Sequence, residues 1–185
     1  VNEWVDQNGV TLFNTDWNTN KDEWIDDVST DKAAEFISAQ TSANTPFLCV
    51  LGFKTPHSPR NMPPTRTATH YADKTAADVP NLSHRTDYAP NANQGSDASD
   101  LRGYMRNVTA IDDNVGEILN LLETLKIANN TAVIFISDQG YFRGEHGLGD
   151  KRAPYEESIR IPFMIRYPAA QTSASVIDEI ALNLD

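Results

Sequence analysis

Apolar positions along this chain follow two rhythms, and the change from one to the other marks out its elements. Between Ser29 and Gln40, Ala33, Ala34, Phe36 and Ile37 gather on one face at helical spacing. Ser29 or Thr30 is placed to cap that helix, and Asp31 suits its positive end. Between Asp100 and Lys126, apolar side chains from Leu101 through Ile111 and Ile118 to Leu125 recur at steps of three and four, which predicts a second, longer helix. Two other runs are apolar without a helical gap: Phe47 to Phe53, introduced by Pro46, and Thr131 to Ile136. Both read as strands buried on two faces. A third run, Ile161 to Tyr167, contains Pro162, which is tolerated near a strand start, and Ser175 to Leu184 is strand-like. Helix followed by strand, twice over, predicts a parallel α/β sheet.

The remaining stretches lack a period. Residues 1–28 are rich in Asn, Asp and Trp and read as an irregular lead-in with a short β-ribbon near Val10 to Phe13. Residues 60–99 hold Pro63, Pro64, Pro80 and Pro90 and few aliphatic side chains. An excursion of that length is usually functional or mobile, and this one is expected to arch over a site. Asn129-Asn130 is expected to end the second helix. Asn81, Asn107 and Asn129 each begin a glycosylation pattern, a signal short enough to arise by chance. Asp112 and Asp113 lie beside the helical stripe, where a solvated helix face explains them better than acid–base chemistry.

The 185 residues suffice for one domain with a real core, and the expected organisation is a single partial domain over 1–185. The formal charge of −11 argues against nucleic acid or an anionic membrane as partner, though not against a small anion met by locally gathered bases. No apolar run approaches the roughly 18 residues of a membrane span, and no signal peptide stands at Val1. The single cysteine, Cys49, falls inside an apolar run and reads as a buried small hydrophobe.

Candidate chemistry is concentrated after Ile136. The chain leaves that run at Ser137-Asp138-Gln139-Gly140 and enters a glycine-rich loop carrying Arg143, Glu145, His146, Asp150, Lys151 and Arg152. Ligands of open α/β sheets bind beyond the carboxyl ends of strands. A carboxylate beside an amide oxygen can hold a hard cation, with histidine and lysine facing an anion on that cation. A solvated connection has the same residue types. His57, in Lys54-Thr55-Pro56-His57-Ser58-Pro59, stands at another such strand end, where a surface turn is an equal reading.

Here the chain resembles a known family. The run SDQGYFRGEHGLGDKRAPYEESIRIPFMIRYP is similar to the sulfatase segment, within the alkaline phosphatase superfamily, that supplies part of a metal site and a lysine. GFKTPHSP resembles the family's histidine-bearing strand end, and STDKAAEFI and GYMRNVTAIDDNVGEILNLLE resemble its helices. The resemblance implies an alkaline phosphatase-like α/β fold, with a mixed, mostly parallel sheet flanked by helices, incomplete in this chain. It implies that Asp138 and Gln139 are ligands of Ca2+, with Mg2+ the alternative; Gln139 stands where Asn or His is usual. It also implies that His57 and Lys151 are catalytic. His146, Lys54, Arg143 and Arg152 follow as substrate contacts.

The implied activity is divalent-metal-dependent hydrolysis of sulfate esters, small anionic substrates such as a sulfated sugar, in a periplasmic, secreted or lysosome-like setting. The family's formylglycine nucleophile arises in a motif like C/S-x-P-x-R, which is absent; Cys49 lacks the following Pro and Arg. The chain is therefore expected to be the middle of a longer sulfatase, with the formylglycine upstream of Val1, and to be inactive alone. Two rivals stand beside this expectation. One is a phosphodiesterase or phosphonate hydrolase of the same superfamily, and the other an inactive anion-binding fragment or pseudoenzyme.

Overall fold

The computed structural model describes residues 2–5, 11–15, 24–74, 98–143, 145–170 and 173–176. The lead-in forms the expected ribbon: β1 (Asn2–Val5) pairs antiparallel with β2 (Thr11–Thr15), with a bulge between Trp4 and Val5. Helix α1 spans Ile25–Ser42 and α2 spans Ala98–Thr124. A short strand β3 (Val133–Ile136) follows, then β4 (Phe142–Arg143), β5 (Gly149–Asp150), the single turn α3 (Glu156–Ile159) and β6 (Phe163–Arg166).

Helix α1 begins earlier than its periodicity suggests. Trp24 is the N-cap and makes no side-chain cap bond, so neither Ser29 nor Thr30 caps the helix. Both lie inside it, returning their hydroxyls to the carbonyls of Ile25 and Asp26, the bond that short hydroxyl side chains make in a helix interior. The first turn instead holds Asp26 and Asp27, which suit the positive end of the helix dipole. Helix α2 ends at Thr124 rather than at Asn129. Lys126 takes a left-handed φ of 58°, and Ala128–Asn130 form a separate 3-10 turn. Asn107 is buried on α2, which closes the glycosylation pattern there; Asn129 is exposed, and Asn81 lies outside the described residues.

The apolar runs depart from expectation in a systematic way. Strand β3 is not covered on both faces: Val133 and Phe135 turn inward while Ile134 and Ile136 remain exposed. Residues 47–53 show the same alternation, with Leu48 and Val50 more than four-fifths exposed, and they join no ladder among the described residues. Strand β6 pairs antiparallel with β3, in the register Val133 with Arg166 and Ile136 with Phe163. All three described ladders are antiparallel. The reason is local: the chain turns back through α3 and needs no crossover helix to return beside β3.

Parallel direction survives in the packing. Phe47, Cys49 and Val133 pack on the cluster of Ile37, Leu122 and Ala128. Phe53 and Phe135 pack on the cluster of Trp24, Ala110 and Ile111. Both runs therefore travel from the first cluster to the second, and both carboxyl ends emerge beside the same part of the core.

The first part of the excursion is held against the helices. Arg66 places Nη2 2.8 Å from one oxygen of Asp27 and Nε 3.1 Å from Asp113. Its Nη2 also reaches the Asn114 side chain and the Ala110 carbonyl. Tyr71 meets Thr109 at 2.9 Å. Residues 75–97, the rest of the excursion, lie outside the described residues, as does most of Ser175 to Leu184. No helix among the described residues is long and apolar enough to cross a membrane.

Candidate functional site

The first strand end is anchored from beneath. Asp26 is fully buried in the first turn of α1, yet its carboxylate accepts three bonds from a loop 28 and 29 residues away. The Lys54 amide donates to Oδ1 at 2.6 Å, and the Thr55 amide and hydroxyl donate to Oδ2 at 3.1 and 2.6 Å. Arg60 Nε donates to the Pro56 carbonyl at 2.8 Å. Gly103 on α2 is needed because an added Cβ would stand 2.2 Å from the Arg60 carbonyl oxygen.

On this seat His57 is exposed. Its Nδ1 lies 2.9 Å from Lys54 Nζ and 2.8 Å from the Ser58 carbonyl, to which Lys54 Nζ also donates at 3.2 Å. An ammonium only donates. A carbonyl only accepts, so Nδ1 meets either the Lys54 ammonium as acceptor or the Ser58 carbonyl as donor, not both. Lys54 thus meets the histidine, where the sequence suggested a substrate contact.

The second strand end is held by its own downstream chain. The Gly140 amide donates to the Ser158 carbonyl at 2.8 Å. A Cβ at Gly140 would stand 2.2 Å from the Glu157 carbonyl oxygen. Ser158 is buried, and its hydroxyl donates to the Lys151 carbonyl at 2.9 Å. Through this one residue the chain just past Asp138 and Gln139 is tied to Lys151. The Ser137 hydroxyl donates to the Gln139 carbonyl at 2.9 Å. His146 and Asp150 adopt left-handed φ values of 56° and 69°, conformations that non-glycine residues hold only where surroundings enforce them.

The expected residues divide into two sets. Asp138 is exposed and Gln139 half-buried, and neither side chain makes a hydrogen bond or ion pair among the described residues. The same holds for the ammonium of the half-buried Lys151. His146 and Arg143 meet neighbouring side chains. The His146 ring stacks on Tyr155 at 4.5 Å, with Nε2 3.2 Å from Glu157. Arg143 is buried with its guanidinium 3.8 Å from the centre of the Tyr104 ring. Arg152 is exposed and paired with Asp150 at 2.8 Å. Cys49 packs inward, and burial raises its thiol above the usual value, which disfavours the thiolate a nucleophile needs.

One contact joins the two strand ends. The Arg60 guanidinium, three residues past His57, lies 4.6 Å over the ring of Tyr141, two residues past Gln139. Asp26, Arg60 and Ser158 were not singled out by the sequence, because each acts through contacts distant along the chain.

A family model described as Sulfatase matches residues 3–183. The chain belongs to the sulfatase family. Over 85 residues it is 46% identical to an N-acetylglucosamine-6-O-sulfatase of Bacteroides thetaiotaomicron, a match covering 46% of this chain and 15% of that protein. Over 153 residues it is 29% identical to an ulvan-active sulfatase of Formosa agariphila, covering 82% of this chain and 29% of the relative. A structure solved in complex with its substrate, D-glucosamine-2-N,6-O-disulfate, superimposes with a TM-score of 0.67 at 25% identity, over 78% of this chain and 43% of that one. The fold is the alkaline phosphatase-like α/β fold of these sulfatases, and this chain spans less than half the length of each of the three.

The donor set at Asp138 and Gln139 fits a hard cation in kind, with a carboxylate and an amide oxygen side by side. It does not complete a shell: no group of three His, Cys, Asp or Glu side chains placed to hold a metal occurs among the described residues.

Proposed function

We propose that the protein hydrolyses sulfate esters, and that the substrate is a sulfated sugar. The observation that carries this reading is the Arg60–Tyr141 contact, which sets the His57 loop beside the Asp138 loop at one edge of a sulfatase domain. Asp138 and Gln139 would hold a calcium or magnesium ion, together with ligands from outside the described residues. When bound, such an ion polarises sulfate oxygens. Lys151 places a compact positive charge against the same group, where charge develops as the ester breaks.

In the hydrolysis overall, an oxygen from water bonds to sulfur as the sulfur–oxygen ester bond breaks, and the electron pair of that broken bond leaves on the sugar oxygen. His57 supplies the proton that oxygen takes up. Arg143 and His146 shape the loop from behind rather than touching substrate, and Arg152 faces solvent beside Asp150. The nucleophile is assigned to no residue of this chain. The names of two relatives support a sugar, one naming N-acetylglucosamine and the other ulvan.

The test is turnover by the complete protein on a 6-O-sulfated glucosamine and on matched phosphate esters, with and without added calcium. Calcium-dependent release of sulfate is expected. Release of phosphate alone would transfer the protein to a phosphoesterase reading, and binding of the sugar without turnover would make it an anion-binding protein.

A further inference from the structure

The buried carboxylate of Asp26 has no place in the chemistry above. It is not a substrate contact, since it is fully buried. Among the described residues no Arg or Lys pairs with it; its partners there are two backbone amides and one hydroxyl, all from Lys54 and Thr55. Burying a carboxylate is costly unless its oxygens are satisfied, and a simple turn could have been closed by a neutral side chain. The charge is tolerated because it lies in the first turn of α1, facing the positive end of that helix.

Both of its oxygens point at one short piece of chain. That piece leads through Pro56 directly to His57, and Lys54 itself touches the His57 ring. The amides of Lys54 and Thr55 lie on the same carboxylate, so their peptide planes are fixed relative to α1. The Lys54 side chain leaves from that fixed backbone and ends at Nδ1 of His57.

Resting on the proposed sulfatase reading, we infer that Asp26 is the positioning residue of the site: it fixes the Lys54–Thr55 backbone and, through it, the place of the His57 ring. A lysine amine tethered to a wandering backbone could not hold one nitrogen of an exposed imidazole. With the backbone held, Nδ1 stays between the Lys54 ammonium and the Ser58 carbonyl, which leaves Nε2 to meet the leaving oxygen. Thr55 shares the task, because its hydroxyl makes one of the two shortest of the three bonds.

The experiment uses the complete protein in two arms. The first is 15N NMR of the histidine rings in wild type, Asp26→Asn and Thr55→Val, which reads His57 whether or not substrate turns over. The His57 ring signals are expected to shift or broaden in both variants while those of His70 and His146 stay in place. Unchanged His57 signals in a folded Asp26→Asn protein would overturn the inference.

The second arm is a cycle of Asp26→Asn with His57→Ala, read as kcat on the sulfate ester. Asp26→Asn alone is expected to lower kcat by about tenfold to a hundredfold, the scale of a misplacement of about 1 Å. In the His57→Ala background it should cost no more than about twofold, within the scatter of independent sites. An equal loss in both backgrounds would show that Asp26 acts elsewhere. Should Asp26→Asn fail to fold, Thr55→Val carries the same two comparisons with a smaller loss. A wild type without turnover would sink the sulfatase reading, while the ring signals would still decide the role of Asp26.

Discussion

Asp26 holds the His57 loop from below with a buried charge supplied by a helix far upstream, whereas the Asp138–Lys151 loop is held by a backbone bond and a hydroxyl from the turn just downstream. The first anchor is rigid and remote, and it satisfies only backbone and hydroxyl donors. The second is local and partly made of main chain, so side-chain substitution can reach only half of it. The contrast follows from what each loop presents. His57 is exposed, meets only its close sequence neighbours Lys54 and Ser58 in the bonds given above, and must be held through the chain on either side. Asp138 and Gln139 lie 13 and 12 positions before Lys151 and must be brought to it, a task for a turn that folds back on Gly140.

The largest effect that would break this comparison is expected at Gly140→Ala. The new Cβ would stand 2.2 Å from a carbonyl oxygen of the returning turn, and backbone cannot move aside cheaply. A loss of at least about 1–3 kcal/mol in stability is expected from such overpacking, together with loss of turnover. A folded, active variant would show that the downstream turn is not the anchor. Lys151→Ala comes next. Turnover of the complete protein should fall roughly a hundred- to a thousandfold, the effect of removing one preorganised donor from developing charge. The melting temperature should scarcely change, since the ammonium has no partner among the described residues; a large fall would mark a structural lysine.

Those two variants also separate what was legible in the sequence from what was not. Residue type and place after an apolar run made Lys151, Asp138 and His57 candidates only, with a solvated loop or a surface turn as rival readings; the resemblance to the sulfatase family gave them roles. The long helix was legible because its stripe repeats from Leu101 to Leu125. The capping of α1 was misread because Ser29 and Thr30 suit a cap equally well on sequence grounds, and only the fold reveals the turn that precedes them. Runs at 47–53 and 131–136 announced burial on both faces, yet each shows one bare face among the described residues. A run of apolar residues records what a strand can bury; it does not name its neighbour. The pairing of β3 with β6, and the reach of Asp26 to Thr55, depend on three-dimensional return of the chain and leave no local pattern.

Smaller effects sharpen the contrast. Ser158→Ala removes the hydroxyl bond to the Lys151 carbonyl but leaves the main-chain bond to Gly140. A stability loss of about 1 kcal/mol is expected in chemical denaturation. Turnover should drop while calcium affinity holds, and a parallel fall in calcium affinity would mean that the hydroxyl supports the whole loop. Arg66→Met tests a clamp away from both loops. It removes bonds to Asp27, Asp113 and Asn114, and Asp27 adjoins Asp26. Because the ion pairs are partly solvated, about 1–2 kcal/mol is expected, with the His57 ring signals unmoved. A shift of those signals would show that the upstream anchor is less independent than its geometry suggests.

The central claim is that the two loops serve one site, and manganese tests it directly. Mn2+ can take a place offered by oxygen donors and broadens the NMR signals of nearby nuclei. Titrated into the complete protein, it should broaden the His57 ring signals together with the amides of Asp138 and Gln139, and Asp138→Ala should abolish both effects. Broadening at Asp138 and Gln139 with His57 left sharp would contradict the account.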